Sequence, residues 1–197
     1  MNNYETLCAM TTGIVLAGGS SSRMGTNKAE LLYKGMPLVQ WQMEKLRSIG
    51  LPKILVSGYG EGMIPDDVPG KGPLGGLYST LRRASGSQCL VLPVDVPLID
   101  AYTLKQLIRT HNGGITLLSY NERPEPLIGI YDSCLAQSIL PMLHEGSAAV
   151  RRLLDMVGYR TLPVTGDGRI LSNCNTPDEF AAVCAAGGTP SQPQWHP

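Results

Sequence analysis

Ile14-Val15-Leu16-Ala17-Gly18-Gly19-Ser20-Ser21-Ser22-Arg23-Met24-Gly25-Thr26-Asn27-Lys28 is the stretch from which the rest of the chain can be read. Its first residues have the length and apolar character of a strand buried on both faces. The run stops at two glycines, which lack a Cβ and so tolerate φ > 0 and let a ligand approach the backbone closely. Three serines add hydroxyls and amides with little bulk, and Arg23 and Lys28 add two fixed positive charges. A strand ending in a glycine turn, with exposed amides and nearby cations, is suited to holding phosphates. Two familiar phosphate loops do not fit. A Walker-type loop needs Lys directly after its second Gly, whereas Thr26 follows Gly25 and the spacing from Gly19 is one residue too long. Nor can G-x-G-x-x-G be read from Gly18 or Gly19. The plain alternative is a strand-end turn that is merely rich in glycine and serine. Arg23, Gly25 and Lys28 at these positions favour phosphate.

The 197 residues suffice for one domain with a substantial core, expected over 12–186 between a leader at 1–11 and a disordered tail at 187–197. Positive and negative side chains balance at 16 each, so no strong field favours nucleic acid or an anionic membrane. A polyanionic ligand must therefore be held by local arrangement, with a metal ion to help. Cys8, Cys89, Cys134, Cys174 and Cys184 form no C-x-x-C pair, and their odd number suggests reduced thiols. His111, His144 and His196 lie too far apart to suggest a zinc site. No basic-then-apolar leader opens the chain and no apolar run nears membrane-spanning length. A soluble, cytoplasmic protein is expected, without a membrane or nucleic-acid partner.

Along the chain, Met1 to Met10 carry no periodicity and read as a frayed leader. Leu31 to Tyr33 reads as a short strand, and Pro37 suits the first turn of a helix marked by Val39, Met43, Leu46 and Ile49 and stopped at Gly50. Trp41 reads as that helix's partly exposed neighbour. Lys53 to Ser57 gives the next strand, and the strand–helix–strand alternation argues for a parallel sheet. Ile64 to Gly76 is too rich in Pro and Gly for regular structure and reads as a ligand-shaping loop before a helix over Leu77 to Ala84.

The second chemical centre is Cys89-Leu90-Val91-Leu92-Pro93-Val94-Asp95-Val96-Pro97, an apolar strand delivering a carboxylate where open α/β sheets bind ligands. Asp100 already fits the cap of the next helix, before Ala101, Leu104, Leu107 and Ile108, which leaves Asp95 for another task. Near phosphates that task is holding Mg²⁺, which takes one or two carboxylates, waters and phosphate oxygens. Strands follow at Ile115 to Ser119 and Leu127 to Tyr131, joined by a polar loop over Tyr120 to Pro126. Helices follow at Leu135 to Leu143 and Ala148 to Met156. Thr176-Pro177-Asp178-Glu179 supplies a cap, a first-turn proline and a capping-box glutamate for a last helix. Just before it, Asn173 and Asn175 sit at alternate positions and would face one side of an extended segment.

Four segments together resemble the molybdenum cofactor guanylyltransferases of the MobA-like nucleotidyltransferases. They are Leu16-Ala17-Gly18-Gly19 with its R-M-G-x-x-K sequel, the G-P-L-x-G within Pro69 to Gly76, the D-x-P of Asp95 to Pro97, and the N-x-N-T-P of Asn173 to Pro177. The resemblance spans about Thr12 to Val183. It implies a Rossmann-like three-layer α/β/α fold with a mostly parallel sheet. It also implies transfer of GMP from Mg·GTP to the terminal phosphate of molybdopterin, with Mn²⁺ as the alternative ion. Cofactor-insertion proteins and molybdoenzyme chaperones would be further partners. Residue by residue, Leu16, Ala17 and Gly19 would meet guanine and ribose beside Gly18, while Lys28 would neutralise phosphate charge. Asp66 would lie on the guanosine side, with Asp67 as the alternative, and Asp95 would hold the metal. Asn173 and Asn175 resemble residues at the pterin end. Lys28, Asp95 and Arg23 are the candidate catalytic residues. The resemblance leaves a cytidylyl or sugar-phosphate transferase, and a non-catalytic nucleotide sensor, as competing readings. Retention of both Lys28 and Asp95 speaks against the sensor.

Overall fold

The computed structural model describes residues 3–18 and 28–186. In chain order these form α1 (Asn3–Ala9), β1 (Thr11–Leu16), β2 (Leu32–Tyr33), β3 (Met36–Pro37), α2 (Leu38–Ser48), β4 (Lys53–Ser57), α3 (Gly72–Leu81) and β5 (Gln88–Pro93). They continue as α4 (Ala101–Thr110), β6 (Ile115–Tyr120), β7 (Arg123–Asp132), α5 (Ala136–His144), α6 (Val150–Val157), β8 (Arg160–Pro163) and α7 (Pro177–Ala186). Strands β2 and β3 make a small separate hairpin.

The main sheet has the order β4-β1-β5-β7-β6-β8. β1 pairs in parallel with β4 and β5, and β6 in parallel with β8, while β7 runs antiparallel between β5 and β6. The sheet is therefore mostly parallel with one reversed strand. β1 and β5 are buried along their whole length, because alternate side chains enter opposite cores. Ile14 and Leu16 join one core with Leu74 and Leu77 of α3, Ile139 of α5 and Leu153 of α6. Val15, Leu90 and Leu92 join the other, with Leu46 of α2, Leu104 and Leu107 of α4 and Cys8 of α1. Two apolar cores, one on each face, make the three layers. Each such Leu or Ile contributes about 1.5–3 kcal/mol relative to remaining exposed.

The local signals act as their chemistry dictates. Asp100 caps α4, its carboxylate accepting from the Thr103 amide at 2.8 Å. Thr176 and Glu179 close a reciprocal box at the start of α7: the Glu179 amide donates to Thr176 Oγ1 at 3.2 Å, and the Thr176 amide to Glu179 Oε2 at 3.1 Å. Gly50 ends the α2 turn at φ +93°.

Several readings need correction. The stretch read as a frayed leader is largely helix α1, whose Cys8 is buried and whose Tyr4 hydroxyl donates to Ile49 O at 2.9 Å. Its seven residues are too few to display a period, and only packing reveals its inner face. Pro37 ends β3 and serves as the N-cap of α2, one position before the first turn expected for it. α3 begins at Gly72, not Leu77, so the glycines assigned to a loop lie in its first turns. Residues read as a polar loop belong mostly to the long β7, the turn itself being Asn121 and Glu122, both at positive φ. β8 had no expectation attached to it. The tail from Gly187 lies outside the described residues.

Candidate active site at the β1–β5 switch

The chain leaves β1 toward β4 on one side and returns through α3 to β5 on the other, so the connections diverge between the carboxyl ends of β1 and β5. Open α/β sheets leave a crevice at such a point. Ala17 donates its amide to Ser57 O at 3.1 Å, and Val94 its amide to Leu16 O at 3.0 Å, which extends the sheet one step toward the crevice. Leu16 is buried, Ala17 half-buried and Gly18 exposed at the rim. Gly19, Arg23 and Gly25 lie outside the described residues.

Lys28 and Asp95 meet here across 67 residues of chain. Lys28 Nζ donates to Asp95 Oδ2 at 3.0 Å and to Asn175 Oδ1 at 2.6 Å. The side chains of Lys28 and Asp95 remain 18% and 17% exposed, sheltered yet reachable from solvent. Asn175 is held from behind, its backbone N–H donating to Glu179 Oε2 at 2.6 Å. Between the two asparagines, Cys174 points inward and is buried. Its amide donates to Asp95 O at 2.9 Å and its thiol to the same oxygen at 3.3 Å. Burial first, and then the Asp95 charge, pushes this thiol up to about 11, so it acts as a wedge and not as a nucleophile. Asn173 and Asn175 flank Cys174 and both line a cleft of about 460 Å³ with Leu98, Arg169, Ser172 and Glu179. Only Asn175 also touches the Lys28–Asp95 pair.

Asp66 and Asp67 have separate environments. Arg83 grips Asp67 through two bonds of 2.8 Å, Arg82 adds a third at 3.3 Å, and these contacts hold the Asp67 carboxyl below its ordinary value. Asp66 instead lies against the first turns of α3. A Cβ on Gly75 would stand 3.1 Å from Asp66 Oδ2, and one on Gly76 3.5 Å from Oδ1. Burial, reinforced by the Asp67 charge, raises the Asp66 carboxyl. Asp66 is thus the less compensated of the two carboxyls, its neighbour being already paired with arginine.

Among the described residues, no three of His, Cys, Asp and Glu cluster as metal ligands. Asp95 offers one hard, anionic oxygen site, which fits an ion that completes its shell with water and phosphate oxygens. Residues 13–161 match the family pattern described as MobA-like NTP transferase domain. The chain belongs to that family. It is 34% identical, over 87% of its own length and 93% of the relative's, to a molybdenum cofactor guanylyltransferase from Xanthomonas euvesicatoria pv. vesicatoria. It is 31% identical to a probable molybdenum cofactor guanylyltransferase of Flavobacterium johnsoniae over 86% of this chain and 94% of the other. The fold is similar to that of the molybdopterin-guanine dinucleotide biosynthesis protein A from Archaeoglobus fulgidus, with a TM-score of 0.67 and 21% identity over 89% of this chain and 99% of that one. Family membership thus agrees with the resemblance drawn from the four segments, and the Rossmann-like mostly parallel sheet is the observed one. Cys174 was passed over in the sequence because a lone cysteine carries no signal until its neighbours are known.

Proposed function

We propose that this protein transfers GMP from GTP to the terminal phosphate of molybdopterin and releases pyrophosphate. The observation that carries the reading is the junction of Lys28, Asp95 and Asn175, which joins the glycine-turn edge of the crevice to the cleft beside Asn173. A nucleotide entering from β1 and an acceptor entering from the cleft would meet at this junction. The match to guanylyltransferases over most of the chain supports the same donor and acceptor.

In the reaction, an oxygen of the acceptor's phosphate forms a bond to the α-phosphorus of GTP. The bond from that phosphorus to the bridging oxygen breaks, and its electron pair leaves with pyrophosphate. A phosphate monoester is already an anionic nucleophile near neutral pH, so no general base is needed. Two anions must be brought together, so the protein's task is neutralisation and in-line positioning. Lys28 supplies a positive charge that can pass from Asp95 to a phosphate oxygen, while Asn175 keeps the ammonium aimed into the junction. Asp95 would hold Mg²⁺, or Mn²⁺ in its place, which when bound supplies further neutralisation of phosphate charge. Asp66 lies on the guanosine side in this reading, and Gly18, exposed at the rim, leaves room for the base. All five cysteines are free thiols, in keeping with work in the reducing cytoplasm.

A nucleotide panel assayed with molybdopterin tests the proposal. GTP is expected to be used at least about tenfold more efficiently than CTP, a difference of about 1.4 kcal/mol in transition-state binding. Equal or better use of CTP would assign the chain to cytidylyl transfer instead.

A further inference from the structure

The segment that carries Asp95 is no longer strand. It leaves β5 at Pro93 and runs through Val94, Asp95, Val96 and Pro97 as a buried turn beside the junction. Its carbonyls have no strand partner and need donors, because a buried C=O left unpaired is costly. One face of α2 supplies them. Gln42, fully buried, donates from Nε2 to Pro93 O at 3.1 Å and to Val96 O at 2.9 Å. Trp41 Nε1 donates to Pro97 O at 3.0 Å, and Lys45 Nζ donates to the same oxygen at 2.9 Å. Lys45 also donates to Gln42 Oε1 at 3.0 Å, which fixes the amide so that its NH₂ faces the segment. From the opposite side, Cys174 takes Asp95 O.

We infer that Trp41, Gln42 and Lys45 are positioning residues, holding the backbone around Asp95 so that its carboxylate meets Lys28 and the metal in reactive geometry. The inference rests on the reading of Asp95 given above. An apolar side chain at position 42 would leave the buried carbonyls of Pro93 and Val96 without this donor, so the glutamine both satisfies them and fixes where the backbone runs. Side chains of α2 hold one carbonyl before Asp95, that of Pro93, and two after it, those of Val96 and Pro97, which constrains the path of the segment on both sides. Positioning of this kind has large effects, since displacement of a reacting group by about 1 Å can cost about a hundredfold in rate. Sequence periodicity conceals the device. Gln42 lies between Leu38 and Leu46 at helical spacing, where it interrupts the apolar face, and Trp41 reads as that helix's partly exposed neighbour.

The test compares Gln42→Met, which keeps volume and removes both donors, with the double variant Trp41→Phe, Lys45→Met, which removes both donors to Pro97 O from partly exposed positions and tolerates any folding defect of the first. Two readouts are taken: amide hydrogen exchange along 94–98 against 90–92, and kcat and KM for GMP transfer. Exchange at Val94, whose amide donates to Leu16 O at 3.0 Å, is expected to rise at least about tenfold while Leu90 and Leu92 stay protected, and kcat to fall about tenfold with KM for GTP within about threefold. Exchange unchanged in both variants, or loosened evenly through β5, overturns the positioning. So does an undiminished kcat beside an inactive Asp95→Asn. An Asp95→Asn variant with wild-type turnover would instead overturn the reading of Asp95 itself, and the positioning along with it.

Discussion

Asn173 and Asn175 look alike in the sequence, yet their surroundings give them different work. Asn173 is exposed and lines the cleft, whereas Asn175 accepts from Lys28. Loss of one hydrogen bond is worth about 1 kcal/mol, so Asn173→Ala is expected to raise the KM for molybdopterin about fivefold. GTP affinity measured by calorimetry should stay within about threefold, or 0.7 kcal/mol. Asn175→Ala removes a partner of the Lys28 ammonium and, on the proposed mechanism, is expected to lower kcat as well. An Asn173 variant that lost GTP affinity as strongly as molybdopterin use would assign that residue to the nucleotide or the fold. Asp66 permits a cleaner separation of stability from binding. Its folded carboxyl titrates above its ordinary value because burial, aided by Asp67, disfavours the charge. At neutral pH the folded state therefore bears the whole cost of that ionisation. Asp66→Asn should leave the Tm at pH 7 unchanged or higher while weakening GTP. A lower Tm with intact GTP affinity would show that the carboxylate serves the fold instead. The pairing of Asp67 with Arg82 and Arg83, which gives the two aspartates different surroundings, spans 15 and 16 residues and could not be seen along the chain.

At the scale of elements, α3 is the informative case. Pro and Gly at its start read as loop because they disfavour helix interiors, yet Pro73 lies where a first-turn proline costs nothing and Gly75 lies where a side chain has no room. In an open helix, Gly→Ala would stabilise by up to about 1 kcal/mol. Here the added Cβ would meet Asp66 Oδ2 at 3.1 Å, Lys71 Cβ at 3.2 Å and Val68 O at 3.3 Å. Gly75→Ala is therefore expected to change stability by less than about 1 kcal/mol in either direction, as helix gain and crowding offset. Displacement of Asp66 should nevertheless weaken GTP at least about threefold, as calorimetry would reveal. A clear gain in stability with unaltered GTP binding would contradict the close packing of Asp66 on this helix. The starts of helices α4 and α7 were legible, since Asp100 and the Thr176–Glu179 box act within three residues. α1 and β8 were not. α1 is short and carries a mixed pattern whose buried side depends on α4 and β1 lying against it, with Arg109 of α4 over the Tyr4 ring at 4.8 Å.

For the molecule as a whole, Lys45 couples the core to pH. Burial pushes its ammonium down to about 7 from an ordinary 10.5, against the pull of Asp100. Between those values the unfolded chain keeps a proton that the folded chain has shed, so this group makes stability rise with pH across the window. The neutral amine still donates to Pro97 O. Urea unfolding at pH 7 and pH 9 should show the wild type gaining stability relative to Lys45→Met on going to the higher pH, and a relative loss would contradict it. The sequence by itself determined the two central strands, the alternation that makes the sheet mostly parallel, the capped starts of α4 and α7, and the carboxylate of Asp95 just beyond β5. Those features rest on periodicity and capping among residues a few positions apart. Only the tertiary structure decided that Lys28 reaches Asn175 across 147 residues, that β7 enters the sheet reversed, and that Gln42 spends its buried amide on the Asp95 turn. Such pairings exist only once the layers close, because burial and hydrogen-bond partners are properties of the packed molecule and have no local signature in the chain.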